Sequence, residues 1–365
     1  MSEPLRLVFV QLGSEKAPHL WLNIERVLEQ FPDVEINLVV DSQVKVPTNI
    51  SNSIKIFLYT PKIQEQILLN AIFKSSSFRN GFWKYTFERL LALTEFHIQN
   101  GEGSILHIES DLLLMPNFPF KSFEQIDTLA WMKVDEQRDT AALLYSPNKE
   151  ESTWLSETII SILVSGESVT DMTILRQIAD SNPDKVTELP TFATGMESFI
   201  NEDKGQNSGE IFEIPKTTFQ KFGVFDPAAI GMWLTGIDPR NNYGTTIYFD
   251  TQGILRGGTY LDPSKFRYQF TGNELIGVFG NNKIPIWCLH VHSKNLGLFS
   301  EAWKTKLQDL IFLSKNGEIL YRRSAMGLLR LIISNLKQGT LLSYLLNTPK
   351  ALFVRKVLLK KIADS

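Results

Sequence analysis

Short apolar runs alternate with segments of helical spacing through the first third of the chain, and that alternation constrains the fold most. Residues 5–12 (LRLVFVQL), 36–40 (INLVV), 54–59 (IKIFLY) and 104–108 (SILHI) are mostly apolar rather than two-faced. Strands of this kind are buried on both sides, as in a mostly parallel sheet covered by helices. Between them, residues 19–31 offer Leu20, Leu22, Ile24, Val27 and Leu28 at helical spacing, and residues 82–98 (FWKYTFERLLALTEFHI) read as a long helix. Residues 129–134 and 140–145 read as further strands, and 152–164 and 171–179 as helices. Residues 187–209 read as a polar loop over a site and 284–292 as a late strand. The expected fold class is α/β, with a Rossmann-type mixed sheet flanked by helices.

Function is written most densely in HIESDLLL, residues 107–114. On an extended backbone Glu109 and Asp111 project the same way from the end of a buried strand. Paired carboxylates repel unless a cation sits between them or one takes a proton. Hard divalent ions prefer such oxygens and share them with phosphates. A solvated acidic turn is the plainer alternative. Residues 289–295 (LHVHSKN) place His290 and His292 on one face of a strand, with Lys294 just beyond. Imidazole completes divalent shells and lysine suits phosphate, although histidines at a strand end can be ordinary polar residues.

Asp226-Pro227 reads as a helix start, with Asp226 as N-cap and Pro227 as first helical residue. Asp226 could also meet sugar hydroxyls. Asp238 sits in a following turn that it can shape by itself. Asp41 closes the second strand, where ligands of open α/β sheets gather, and either accepts from a ribose or base there or simply forms the turn. Lys84 and Arg89 are the charged exceptions on the long helix, either reaching a donor or facing solvent.

A single cysteine, Cys288, excludes an internal disulfide and a cysteine zinc site. The first residues carry no secretory pattern and no run spans a bilayer, so a cytoplasmic location is expected. The net charge of −3 gives no case for nucleic acid. It is unevenly spread: residues 301–365 hold 12 Lys+Arg against 4 Asp+Glu, a balance of +8 that leaves −11 elsewhere. Residues 320–336 and 352–362 pair these cations with apolar residues at helical spacing. They suit either an anionic membrane surface, making the protein peripheral there, or packing on the catalytic body.

Together these segments resemble the GT-A-fold glycosyltransferases, over roughly residues 5–300. The resemblance divides the chain into a catalytic domain at 1–300, with a nucleotide-binding half (1–125) and an acceptor half (126–300), and a basic tail at 301–365. Glu109-Ser110-Asp111 stands where the family has Asp-x-Asp. The resemblance implies that Glu109 and Asp111 hold Mn²⁺ or Mg²⁺ on a UDP- or GDP-sugar. It matches His292 to the glycogenin-like late histidine, with His290 competing, and Lys294 to the diphosphate lysine. Asp41, Lys84 and Arg89 then fall on the nucleotide sugar, and Asp226 on the sugar pocket. The implied reaction moves a sugar to a glycan or lipid-linked hydroxyl, as in polysaccharide biosynthesis. Asp226, Asp238 and Glu197 are the candidate bases if the anomeric centre inverts. A nucleotidyltransferase is the rival, though QLGSEK is a poor version of its Gly-rich loop; a non-catalytic carbohydrate-binding or scaffold protein is the other.

Overall fold

β1 (Arg6–Gln11) pairs in parallel with β2 (Glu35–Val40) on one side and β4 (Ile105–Ile108) on the other. The computed structural model describes residues 5–14, 17–73, 81–135, 137–166, 170–191, 223–236, 263 and 266–315. The chain divides into compact units Met1–Ile311 and Phe312–Ser365, and only residues 312–315 of the second are described. The tail segments 320–336 and 352–362, with Glu197 and Asp238, lie outside the described residues.

Seven strands form the main sheet in the order β3-β2-β1-β4-β7-β6-β8. β3 (Lys55–Leu58) extends the parallel half, β7 (Arg138–Ser146) and β6 (Leu129–Asp135) are antiparallel additions, and β8 (Val186–Leu189) pairs parallel with β6. The sheet is therefore mixed. Side chains alternate along β1: Leu7 and Phe9 join the core under α1 (Pro18–Gln30), while Val8 joins the core under α4 (Phe82–Gln99). α6 (Lys149–Val164) and α7 (Asp171–Ser181) cover the same face as α4, while the single turns α2 (Thr48–Ser51) and α5 (Phe120–Phe123) pack with the α1 core.

The structure departs from the sequence expectations at several places. Residues 186–189 are strand β8, so the expected loop from 187 begins as an edge strand paired with β6. α3 (Ile63–Ile72) arises where no helix is expected, because its apolar residues follow no clean face: Leu69 is buried, yet Ile63 and Ile67 are exposed. The late strand splits at Trp287 into β11 (Asn282–Ile286), which belongs to a separate antiparallel sheet with β9 (Arg267–Thr271) and β10 (Glu274–Phe279), and β12 (Cys288–His290). β12 pairs instead with β5 (Leu112–Leu114). His292 therefore lies beyond the strand, and the expectation of two histidines on one strand face does not hold.

His97 ties the end of α4 to the rest of its layer. Its Nδ1 lies 2.8 Å from Ser152 Oγ and its Nε2 lies 2.8 Å from Gly103 O. Burial lowers its pKa to about 4. An unfolded histidine titrates near about 6.5. The folded value is the lower, so the unfolded chain takes the proton first. This contribution to stability is complete above about pH 6.5 and is lost as pH falls toward about 4. Urea denaturation across that window should show the decline, and His97→Gln should flatten the slope.

Candidate active site

β1 neighbours β2 on one side and β4 on the other, and the crevice outside the carboxyl ends of such strands is where open α/β sheets take ligands. Glu109 leaves β4 there, its N–H donating to Ala142 O at 2.8 Å. The backbone then turns, closed by Leu112 N–H on Glu109 O at 3.0 Å. The two carboxylates converge through this turn and not through an extended strand, which corrects the geometry expected from their spacing.

The other half of the site is set by strand pairing. β12 runs antiparallel to β5 with His290 opposite Leu112, and Val291 N–H donates to Asp111 O at 2.8 Å. This register puts His290 Nε2 3.4 Å from Asp111 Oδ1 and 3.5 Å from Glu109 Oε2. On the far side of the ring Nδ1 donates to Pro227 O at 2.9 Å, which leaves Nε2 to face the carboxylates. Ligand atoms of Glu109, Asp111 and His290 all lie within 4.8 Å of one another. Two hard oxygens and one imidazole fit Mn²⁺ or Mg²⁺ by donor chemistry. His292 is outside this group, its ring 5.7 Å from that of His290.

Three cations neutralise the acids. Arg89 on α4 reaches Glu109 with Nη1 and Asp171, the first residue of α7, with Nη2 at 3.4 Å. Lys294 Nζ lies 3.1 Å from Asp111 Oδ2. Burial pushes Glu109 up, but Arg89 and His290 outweigh it and hold the carboxyl below its usual range. Burial likewise opposes ionisation of Asp111, and Lys294 and His290 hold it well below. His290 answers in the opposite sense: burial lowers it, Asp111 and Glu109 raise it, and it ends at about 9. Burial raises the Asp171 carboxyl against the pull of Arg89.

Asp226 is fully buried. Its Oδ1 accepts from Ala228 N–H at 3.2 Å and Ile230 N–H at 2.9 Å, and its Oδ2 from Gly231 N–H at 2.7 Å and His290 N–H at 3.1 Å. The helix spans Ala229–Thr235, so Asp226 and Pro227 precede it by more than the sequence suggests. The carboxylate joins this helix to β12 beneath the site, with four N–H groups on its two oxygens. Gly231 permits the contact: a Cβ there would stand 1.8 Å from His290 O.

Asp41 and Lys84 sit elsewhere on the same end of the sheet. Asp41 accepts from Gly13 N–H at 2.7 Å and Gln43 N–H at 2.9 Å, the turn-shaping arrangement; burial raises the nearby Glu88 carboxyl, with Lys84 opposing the rise and Asp41 adding to it. Lys84 Nζ lies 5.9 Å from the Tyr85 ring centre.

One face of α1 also belongs to the site. His19 Nε2 lies 3.0 Å from Ser110 Oγ, and Asn23 Nδ2 donates to Ser110 O at 3.2 Å and Leu112 O at 2.9 Å. Arg26 donates to Leu114 O. Residues at this spacing share a helix face, which meets the Ser110 carbonyl in the turn and the alternate Leu112 and Leu114 carbonyls along β5. Asn23→Ala leaves two carbonyls without their donor. It should cost about 1–3 kcal/mol in urea denaturation and weaken cation binding at the turn it holds.

No family model and no curated protein sequence matches this chain. Among solved structures it is similar to the galactosyltransferase LgtC, with 15% identity, 51% of this chain and 73% of that chain covered, and TM-score 0.35. It is also similar to the glycosyltransferase GlyE of Streptococcus pneumoniae TIGR4 (15% identity, 52% and 45%, TM-score 0.32). A third is core-mannan synthase A from Aspergillus fumigatus in its Mn/GDP form (6% identity, 52% and 75%, TM-score 0.36). Likenesses this distant carry no chemistry over to this chain.

Proposed function

We propose that this protein is a glycosyltransferase that moves a sugar from a nucleoside diphosphate to an acceptor hydroxyl. One observation carries the reading: two carboxylates and an imidazole meet within 4.8 Å at the ligand-binding end of an α/β sheet. Glu109, Asp111 and His290 would hold Mn²⁺ or Mg²⁺, which when bound supplies positive charge against the departing diphosphate. Lys294 adds a mobile cation on the same side.

Arg89 and Asp171 act beside the cluster. Arg89 fixes Glu109 in place, and its bond to Asp171 ties the acid turn to α7. Asp226 positions His290 rather than taking a proton, since its lone pairs are engaged by backbone N–H groups. Glu197 and Asp238 are the remaining candidate bases for an inverting reaction, and a retaining one requires neither. Asp41 and Lys84 are assigned to the nucleoside end of the donor. The acceptor is a glycan or lipid-linked hydroxyl. The basic residues between 320 and 362 would hold the protein on an anionic, cytoplasmic membrane surface, where a lipid-linked acceptor lies. No helix among the described residues is long and apolar enough to cross a membrane.

Calorimetry with UDP and GDP, with and without Mn²⁺, tests the reading. Mn²⁺ should raise diphosphate affinity, and Asp111→Asn should reduce that gain by about tenfold or more. Preference for triphosphates would instead indicate nucleotidyl transfer. Absence of nucleotide binding would indicate a scaffold.

A further inference from the structure

We propose that Lys294 is a built-in counter-ion that makes a divalent cation and a diphosphate bind this site as a coupled pair. The inference rests on the glycosyltransferase reading and adds how the site is loaded. The ammonium lies 3.1 Å from Asp111 Oδ2, while the other oxygen of that carboxylate faces His290 at 3.4 Å. Both arms of Asp111 are thus engaged by positively charged or chargeable groups.

The backbone aims Lys294 at this position. Past β12 the chain turns back, with Lys294 N–H donating to Val291 O at 2.8 Å. Lys294 has φ of 52°, the left-handed region that a long L side chain rarely adopts. Such conformations persist where surrounding contacts over-determine them, and they gather at ligand clamps. The side chain is 27% exposed, so the ammonium can swing outward without opening the core.

A divalent ion arriving alone at Asp111 meets an ammonium on the same carboxylate, and like charges repel. A diphosphate arriving with the ion offers the ammonium phosphate oxygens in exchange for Asp111. Each ligand therefore favours the other, and the factor is the same in both directions. A lysine that served the phosphate alone would raise nucleotide affinity without touching the affinity for the bare cation.

Calorimetry on the full chain separates these cases. Wild type, Lys294→Met and Lys294→Arg are titrated with MnCl₂ alone, with UDP and GDP alone, and with each nucleotide at saturating Mn²⁺. Lys294→Met should bind Mn²⁺ alone about fivefold more tightly or better, and the gain in Mn²⁺ affinity on adding nucleotide should shrink. Lys294→Arg keeps the charge and should keep the weak binding of Mn²⁺ alone. Lys294→Gln supplies the same comparison if the Met variant loses its melting transition. Unchanged or weaker binding of Mn²⁺ alone in a folded neutral variant overturns the proposal. If neither nucleotide binds the wild type with Mn²⁺, the coupling fails together with the functional reading. The Mn²⁺-alone comparison still decides whether Lys294 competes for the cation.

Discussion

A pairing of three residues with three, β5 against β12, holds the candidate site together. It joins segments about 175 positions apart in sequence, at a loop-closure cost that grows slowly with separation. Without it Glu109 and Asp111 are a charged turn at the end of β4. With it an imidazole stands within 3.5 Å of both carboxylates. The pairing is supported from two sides. α1 supplies Asn23 and Arg26 to the open edge of β5, and Asp226 supplies a carboxylate to the His290 N–H. Buried polar groups are costly when unpaired, so these partners fix the register as well as the contact.

Electrostatics explains why so many acids tolerate burial together. Glu109, Asp111 and Asp171 are arranged around Arg89, Lys294 and His290, each acid within reach of a cation. Such a cluster holds its geometry and also remains responsive, because a multivalent cation and an anionic ligand can exchange with its internal partners. On the proposed reading the site would grip a diphosphate and later release it, which favours contacts that are exchangeable rather than permanent.

Much of the sheet is legible in the sequence because its strands are apolar runs: 5–12, 36–40, 54–59 and 104–108 differ from β1, β2, β3 and β4 by no more than one residue at either end, although β3, at the sheet edge, leaves Ile56 and Leu58 exposed where burial on both faces is expected. The acid pair was legible as chemistry, but its turn was not, since spacing does not report whether Ser110 is extended. The choice of His290 over His292 within the cluster was hidden because strand pairing ends β12 at His290. Asp171 read as an ordinary helix start. Its meeting with Arg89 joins elements 82 residues apart, and no local pattern announces it. The polar face of α1 was obscured for a similar reason: Asn23 and Arg26 fall at solvent-like residue types on a helix whose leucines suggest the core. Leu22 and Leu28 are only partly buried, whereas Asn23 and Arg26 are buried against β5.

The most direct measurement of the central claim is a crystal structure grown with Mn²⁺ and UDP, with data collected for anomalous scattering from manganese. The account predicts one anomalous peak bonded by Glu109, Asp111 and His290 Nε2, with the diphosphate completing the shell. A peak elsewhere on the protein, or none at this cluster with UDP bound, would contradict it.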